Sequence, residues 1–187
     1  MGQMSKRRLQ WVAVIVGMTC FGVILHAAPS TTQMGNILLS ADQFELDGQN
    51  QQILASGNVV IKQRSITIKG QNARYDRQKG MIWVTDQVQA SNGEYTLTAD
   101  QLVANDIANT IDAAGNVRFK YDTMYGSSRS ASFDLTKQTI VLSGDPMAHR
   151  DSDTISAKTI TIFLAQKRII SSGDTHIRVM ADRFKGM

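Results

Sequence analysis

Asp47, Asp76 and Asp134 stand on one spacing, 29 residues or twice that apart, and Asn105 fills the place between the last two. A row of carboxylates at fixed intervals is what a hydrolase or lyase built on stacked strands would present, because general acid–base catalysis needs such groups gathered on one face. The same residues also sit in turn-like stretches: Asp47-Gly48-Gln49-Asn50, Asp76-Arg77-Gln78-Lys79-Gly80 and Asn105-Asp106. Asp and Asn are favoured there because their side chains bond the local backbone. The turn reading accounts for Asn105 as well as the aspartates, so no catalytic residue is assigned and no enzyme is expected.

Metal and nucleophile chemistry find less support. His149 and His176 fall in different columns of the repeat described below, and no cysteine follows Cys20. No calcium loop, nucleophile motif or phosphate loop is present, so neither a metal nor a cofactor is expected. The absence of later cysteines also means that no disulfide holds the exported fold together. The formal charge of +4 invites a search for nucleic-acid binding, but three of the 20 basic residues, Lys6, Arg7 and Arg8, lie at the extreme N-terminus. The remaining 17 face 16 acidic residues, and no Lys/Arg cluster in the sequence argues for nucleic acid.

The elements that must position these side chains are repeated. Gly57, Asp86, Gly115, Gly144 and Gly173 recur every 29 residues, and four residues earlier stand Ile53, Ile82, Ile111, Ile140 and Ile169. A fixed period means one supersecondary unit stacked on its own copies, because a single unit cannot bury its apolar face. Within a unit, apolar and polar residues alternate with period two, as in Ile53-Leu54-Ala55, and Asp-Gly or Gly-Asn pairs mark the corners. No window shows helical periodicity after residue 28. The expectation is an all-β fold, a solenoid-like sandwich of about five 29-residue repeats, each with two to four short strands around one interior.

The columns assign faces. Trp83 shares a mixed column with Leu54, Asp112, Val141 and Ile170 and is expected outward or at a rim, and His149 and His176 on solvent-facing columns. The inward apolar positions are read as Phe44, Leu46, Ile53, Ile68, Tyr75, Ile82, Leu97, Leu102, Ile111, Phe119, Phe133 and Ile140. An open stack leaves unpaired strands at its ends. Here those are residues 36–46, with Ile37 and Leu39, and residues 174–181, with Ile177 and Val179; both are expected to accept a strand from another chain.

The N-terminus has different anatomy. A basic segment, Lys6-Arg7-Arg8, precedes the uncharged apolar run Trp11 to Leu25 and the small residues Ala27-Ala28. The run is shorter than the roughly 20 residues of a spanning helix, and residues 1–28 are read as a secretory signal. Pro29 directly after Ala28 leaves an uncleaved anchor as the alternative. The expected organisation is a leader (1–28), one β domain (34–180) and a short tail (181–187).

The stretch Ala41-Asp42-Gln43, continuing through Ile53-Leu54-Ala55-Ser56-Gly57-Asn58-Val59-Val60-Ile61 to Ile66-Thr67-Ile68-Lys69-Gly70, resembles the OstA-like domain of the LptA family of lipopolysaccharide transport proteins. Ala131-Ser132-Phe133-Asp134-Leu135, Ile140-Val141-Leu142-Ser143-Gly144-Asp145 and Ile155-Ser156-Ala157-Lys158-Thr159-Ile160 are similar too. The resemblance implies an open β-jellyroll of stacked antiparallel strands, a periplasmic location in a Gram-negative cell and a role in outer-membrane biogenesis. It implies an apolar groove for the lipid A acyl chains of lipopolysaccharide, formed by the inward residues above. It further implies end-to-end self-association, an LptC-like inner-membrane partner and an LptD-like outer-membrane translocon. An LptC-like anchored docking subunit is the alternative, and a β-helical polysaccharide-active enzyme a distant third.

Overall fold

The computed structural model describes residues 37–180; the leader expected at 1–28 and the tail at 181–187 lie outside the described residues. Two short strands come first, β1 (Leu38–Ser40) and β2 (Gln43–Asp47). Six long ones follow: β3 (Gln52–Gln63), β4 (Ile66–Asp76), β5 (Met81–Ser91), β6 (Tyr95–Asn105), β7 (Thr110–Tyr121) and β8 (Met124–Asp134). The remainder is short again: β9 (Thr139–Ser143), β10 (Met147–Arg150), β11 (Asp153–Ser156), β12 (Thr159–Phe163), β13 (Arg168–Ser172) and β14 (His176–Arg178). All pair antiparallel in one open sheet of 14 strands. The middle repeats thus supply two long strands each, where the alternation suggested up to four short ones.

The difference lies at the corners. Gly57-Asn58 does not reverse the chain; β3 runs through it, with two residues opposing one on β4 between the pairs Ser56↔Asn72 and Val59↔Gly70. The same irregularity recurs at Asp86-Gln87 on β5 and Gly115-Asn116 on β7. These are β-bulges, which bend a strand sharply without ending it. Their residues are left-handed: φ is 74° and 48° at Gly57 and Asn58, and 76° and 46° at Gly115 and Asn116. Asp86 breaks the glycine column at φ 66°, and its carboxylate accepts hydrogen bonds from Asn72 Nδ2 (3.0 Å) and Thr85 Oγ1 (2.8 Å). Those bonds offset the strain that a side chain brings to this conformation.

Bent at every bulge, the sheet folds over into two leaves. The first comprises β2, one half of each long strand, β9, β12 and β13; the second comprises β1, the other halves, β10, β11 and β14. The isoleucine column becomes one inward row of the first leaf, where Tyr75, Ala104, Phe133 and Ile162 lie between successive isoleucines on the neighbouring strands. A parallel row runs Val84, Leu102, Ala113, Ala131, Leu142, Ile160. The second leaf answers with Leu39, Ile61, Ile68, Ala90, Leu97 and Phe119. Its next place is Gly126, where a Cβ would stand 2.6 Å from the Phe119 ring and 2.3 Å from the Met147 carbonyl. The inward rows of both leaves form one apolar core. Tyr95 of the second leaf meets Phe133 of the first edge-on, ring centroids 5.0 Å apart.

The aspartate row closes hairpins. Asp47 accepts from the amides of Gln49 and Asn50, Asp76 from Gln78 and Lys79, and Asp134 from Thr136 and Lys137, all at 2.9–3.1 Å; Asn105 accepts from Ala108. A second series of hairpin tips, at Arg64, Gly93, Asp122 and Asp151, also keeps the 29-residue spacing with positive φ. Its varied residue types hide it from composition.

Candidate functional site

The candidate site is the space between the leaves. All 12 residues read as inward lie on inward rows. Ile68, Ile82, Leu97, Leu102, Ile111, Phe119, Phe133 and Ile140 are buried, and Ile53 and Tyr75 half-buried. Phe44 and Leu46 are 48% and 75% exposed, because β2 is an edge strand with nothing facing it. At the opposite end Ile177 continues an inward row of the second leaf yet is 60% exposed, and Val179 beyond it is 63% exposed. Ile37 and Leu39 pack against the core from β1 and its approach. The row of apolar places is therefore continuous and opens to solvent at both ends of the described sheet.

In the middle the leaves are closely packed. Voids there are small, about 40 Å³ beside Ile61, Ile82 and Ile111 and about 20 Å³ beside Leu97, Phe119 and Phe133. Neither holds more than a water molecule or so. Along the side opposite the bulges the seam between the leaves is latched. Gln63 Nε2 donates to Asp106 Oδ1, and Arg64 reaches Asn109 Oδ1 at 3.4 Å. Farther along, Lys167 Nζ lies 3.7 Å from Asp122, and Arg150 donates to the Lys167 carbonyl at 3.1 Å.

Between these latches the seam opens. A recess of about 290 Å³ has Arg64, Glu94 and Gln138 at its rim and Ile66, Tyr95, Phe133 and Leu164 beneath. Burial, aided by the Glu94 charge, pushes the Tyr95 hydroxyl up to about 12, so it is neutral at any physiological pH. Arg64 and Asn109, and Asp122 and Lys167, are 45 residues apart, whereas Arg150 is 17 from Lys167. The second leaf is thus offset against the first by between about half a repeat and one and a half, which leaves the first leaf overhanging at the N-terminal end and the second at the C-terminal end.

The alternative chemistry has a poor setting. The backbone N–H of Asn50 lowers the pKa of Asp47, that of Lys79 lowers Asp76, and the Lys137 ammonium lowers Asp134. All three are stabilised as turn-capping carboxylates. His149 Nδ1 lies 3.0 Å from Thr154 Oγ1, and its ring stacks on Tyr125; His176 stands on another row. Among the described residues no group of three or more His, Cys, Asp or Glu side chains could hold a metal. Trp83 is half-buried on the outer face, under the Arg74 guanidinium at 4.0 Å.

The family profile described as "LptA/(LptD N-terminal domain) LPS transport protein" matches residues 38–80 and 67–168, covering both leaves up to the start of β13. The chain belongs to this LptA/LptD N-terminal domain family. Among solved structures it is similar to that of LptH from Pseudomonas aeruginosa, described as the LptA homologous periplasmic component of the conserved lipopolysaccharide transport device. The identity is 13% and the TM-score 0.42, over 78% of this chain and 96% of that one. No curated protein matches the chain.

Sequence reasoning missed two sets of residues at this site. The alanines Ala55, Ala73, Ala113 and Ala131 line the row beside the isoleucines and let the leaves approach closely; as small residues they carry little hydrophobic signal. The latch residues Gln63, Arg64, Asp106 and Asn109 are ordinary turn residues until the fold opposes them.

Proposed function

We propose that this chain is a periplasmic carrier of lipopolysaccharide that holds the acyl chains between its two leaves and joins end to end with further copies into a bridge between the inner and outer membranes. The observation that carries this reading is the unbroken series of inward apolar rows, exposed at both ends of the described sheet. At about 0.8 kcal/mol per methylene, exposing an acyl chain of roughly a dozen carbons to water costs on the order of 10 kcal/mol, so transfer needs a continuous apolar path. Rows built from repeated Ile, Leu, Phe and Val offer similar energies at successive rungs, which lets a lipid slide.

The stagger supports the end-to-end arrangement. The first leaf's overhang presents Phe44 and Leu46 without a facing rung, and the second leaf's presents Ile177. The two overhangs of successive molecules complement one another, a heterologous contact that extends indefinitely because the same operation repeats. The edge strands supply backbone pairing for that join. At the ends of such a bridge the same overhangs would meet an LptC-like protein at the inner membrane and an LptD-like translocon at the outer.

Pro29 favours a second reading, an LptC-like subunit anchored by the run Trp11 to Leu25. N-terminal sequencing of the exported protein separates the two: a start near Ala28 or Pro29 excludes the anchor. For the carrier itself, mass spectrometry of the purified chain is expected to find lipopolysaccharide, and Leu102→Asp to abolish its retention. A Leu102→Asp protein that folds and still carries lipid would count against the interior as the site.

A further inference from the structure

The near balance of charge along the chain conceals a segregation that the fold creates. On the outer face of the second leaf stand Lys62, Lys69, Arg118, Lys120 and Arg178, all exposed, and no acid. Its acids, Glu94, Asp122, Asp151 and Asp153, stand at or beside the hairpin tips. Away from its hairpin turns, the outer face of the first leaf carries both signs, Glu45 and Asp112 against Arg74 and Arg168. Ion pairs neutralise parts of the first leaf and the corners, such as Lys79–Asp76 and Lys137–Asp134. None of the five bases on the second leaf has an ion-pair partner among the described residues.

The face has the shape of a track. It is two outward rows wide and ten strands long, roughly 40 Å at about 4.8 Å per strand. Its bases fall on β3 and β4, on β7 and on β14, at intervals of three or four strands, so charge is spaced along a line and not focused on one point. Between them the rows hold hydroxyls, among them Thr67, Ser91, Thr96, Thr98 and Ser127. Next to Lys120 on the neighbouring strand, the half-exposed Tyr125 ring lies flat on His149, centroids 4.7 Å apart and planes 13° apart.

We propose that this outer face docks an extended carboxylated glycan strand. Spaced ammonium and guanidinium groups meet its repeating carboxylates, Ser and Thr hydroxyls meet its hydroxyls, and the Tyr125 platform stacks a sugar ring. A bilayer is a poorer fit, because the apolar groups that would insert are confined to Leu38 at one end and Tyr125 and Met147 towards the other. The proposal stands apart from the acyl path, which lies on the opposite face of the same strands.

Lysine acetylation footprinting of the full-length protein with polygalacturonate tests it. Lys62, Lys69 and Lys120 are expected to lose reactivity about fivefold while Lys79 and Lys137, on the first leaf's turns, do not, and about 0.5 M salt should remove the protection. Arg118→Gln with Lys120→Gln should weaken binding about tenfold, and Tyr125→Ala about threefold, relative to a Lys79→Gln/Lys137→Gln control. Neutral dextran should protect nothing. Equal protection of all five lysines, protection by phosphatidylglycerol vesicles in place of the glycan, or no protection at all would each overturn the proposal. Lipid retention is unaffected by any of these outcomes, so the carrier reading fails or stands separately.

Discussion

Ile82, Ile111 and Ile140 in the middle of the first leaf are 2–5% exposed, whereas Leu46, on the same inward row, is 75% exposed. Residue type and strand parity are alike; what differs is whether the other leaf faces them. The stagger of the leaves removes the facing rungs at each end, from the first leaf at the N-terminal side and from the second at the C-terminal side. One repeated surface is therefore a packed interior in the middle and an exposed apolar surface at the ends, where we propose that further copies dock.

Leu142, fully buried, anchors the centre, and Leu142→Ala should lower unfolding free energy by about 3 kcal/mol in urea titration. Leu46→Ala should change it by less than about 0.5 kcal/mol, yet weaken self-association seen by sedimentation velocity. Equal stability losses at the two sites would erase the distinction. Gly126→Val is the next test of the middle: with Phe119 and the Met147 carbonyl in the way, it should cost about 1–3 kcal/mol. Gly48→Ala, at a turn of the N-terminal end with open space around its Cβ position, should be nearly silent.

The smallest effect concerns the turns. Asp47, Asp76, Asp86 and Asp134 have pKa values lowered from 3.8 by the hydrogen bonds and charges they accept in the folded state. A depressed folded pKa contributes stability that is present above the unfolded value and lost as pH falls through the folded one. The melting temperature should thus hold from pH 7 to 5 and decline below about pH 4. Asp134→Asn should flatten part of that decline, and a melting temperature still level at pH 3 would remove these turns from the account.

The repeat was legible because its units are short and their apolar places strict: the isoleucine column alone sets the inward row, and the turn aspartates identify one series of hairpins. The second series was not legible, because Arg64, Gly93, Asp122 and Asp151 share a conformation and no chemistry. Gly57-Asn58 read as a corner, but a bulge and a hairpin use the same left-handed residues, and only the register separates them. The latches and the basic outer face depend on which strands the stagger and the sheet order bring together. Lys62 and Arg178 are far apart in sequence, and no local pattern announces that they share a face.

In the function proposed for this chain, lipid travels between the leaves. Photocrosslinking with p-benzoylphenylalanine in place of Phe133, on the inward row, and of its neighbour Ser132, on the outer face, tests it most directly. A lipopolysaccharide adduct is expected at 133 and none at 132. Adducts at 132 alone, with a folded but unlabelled 133 variant, would contradict it.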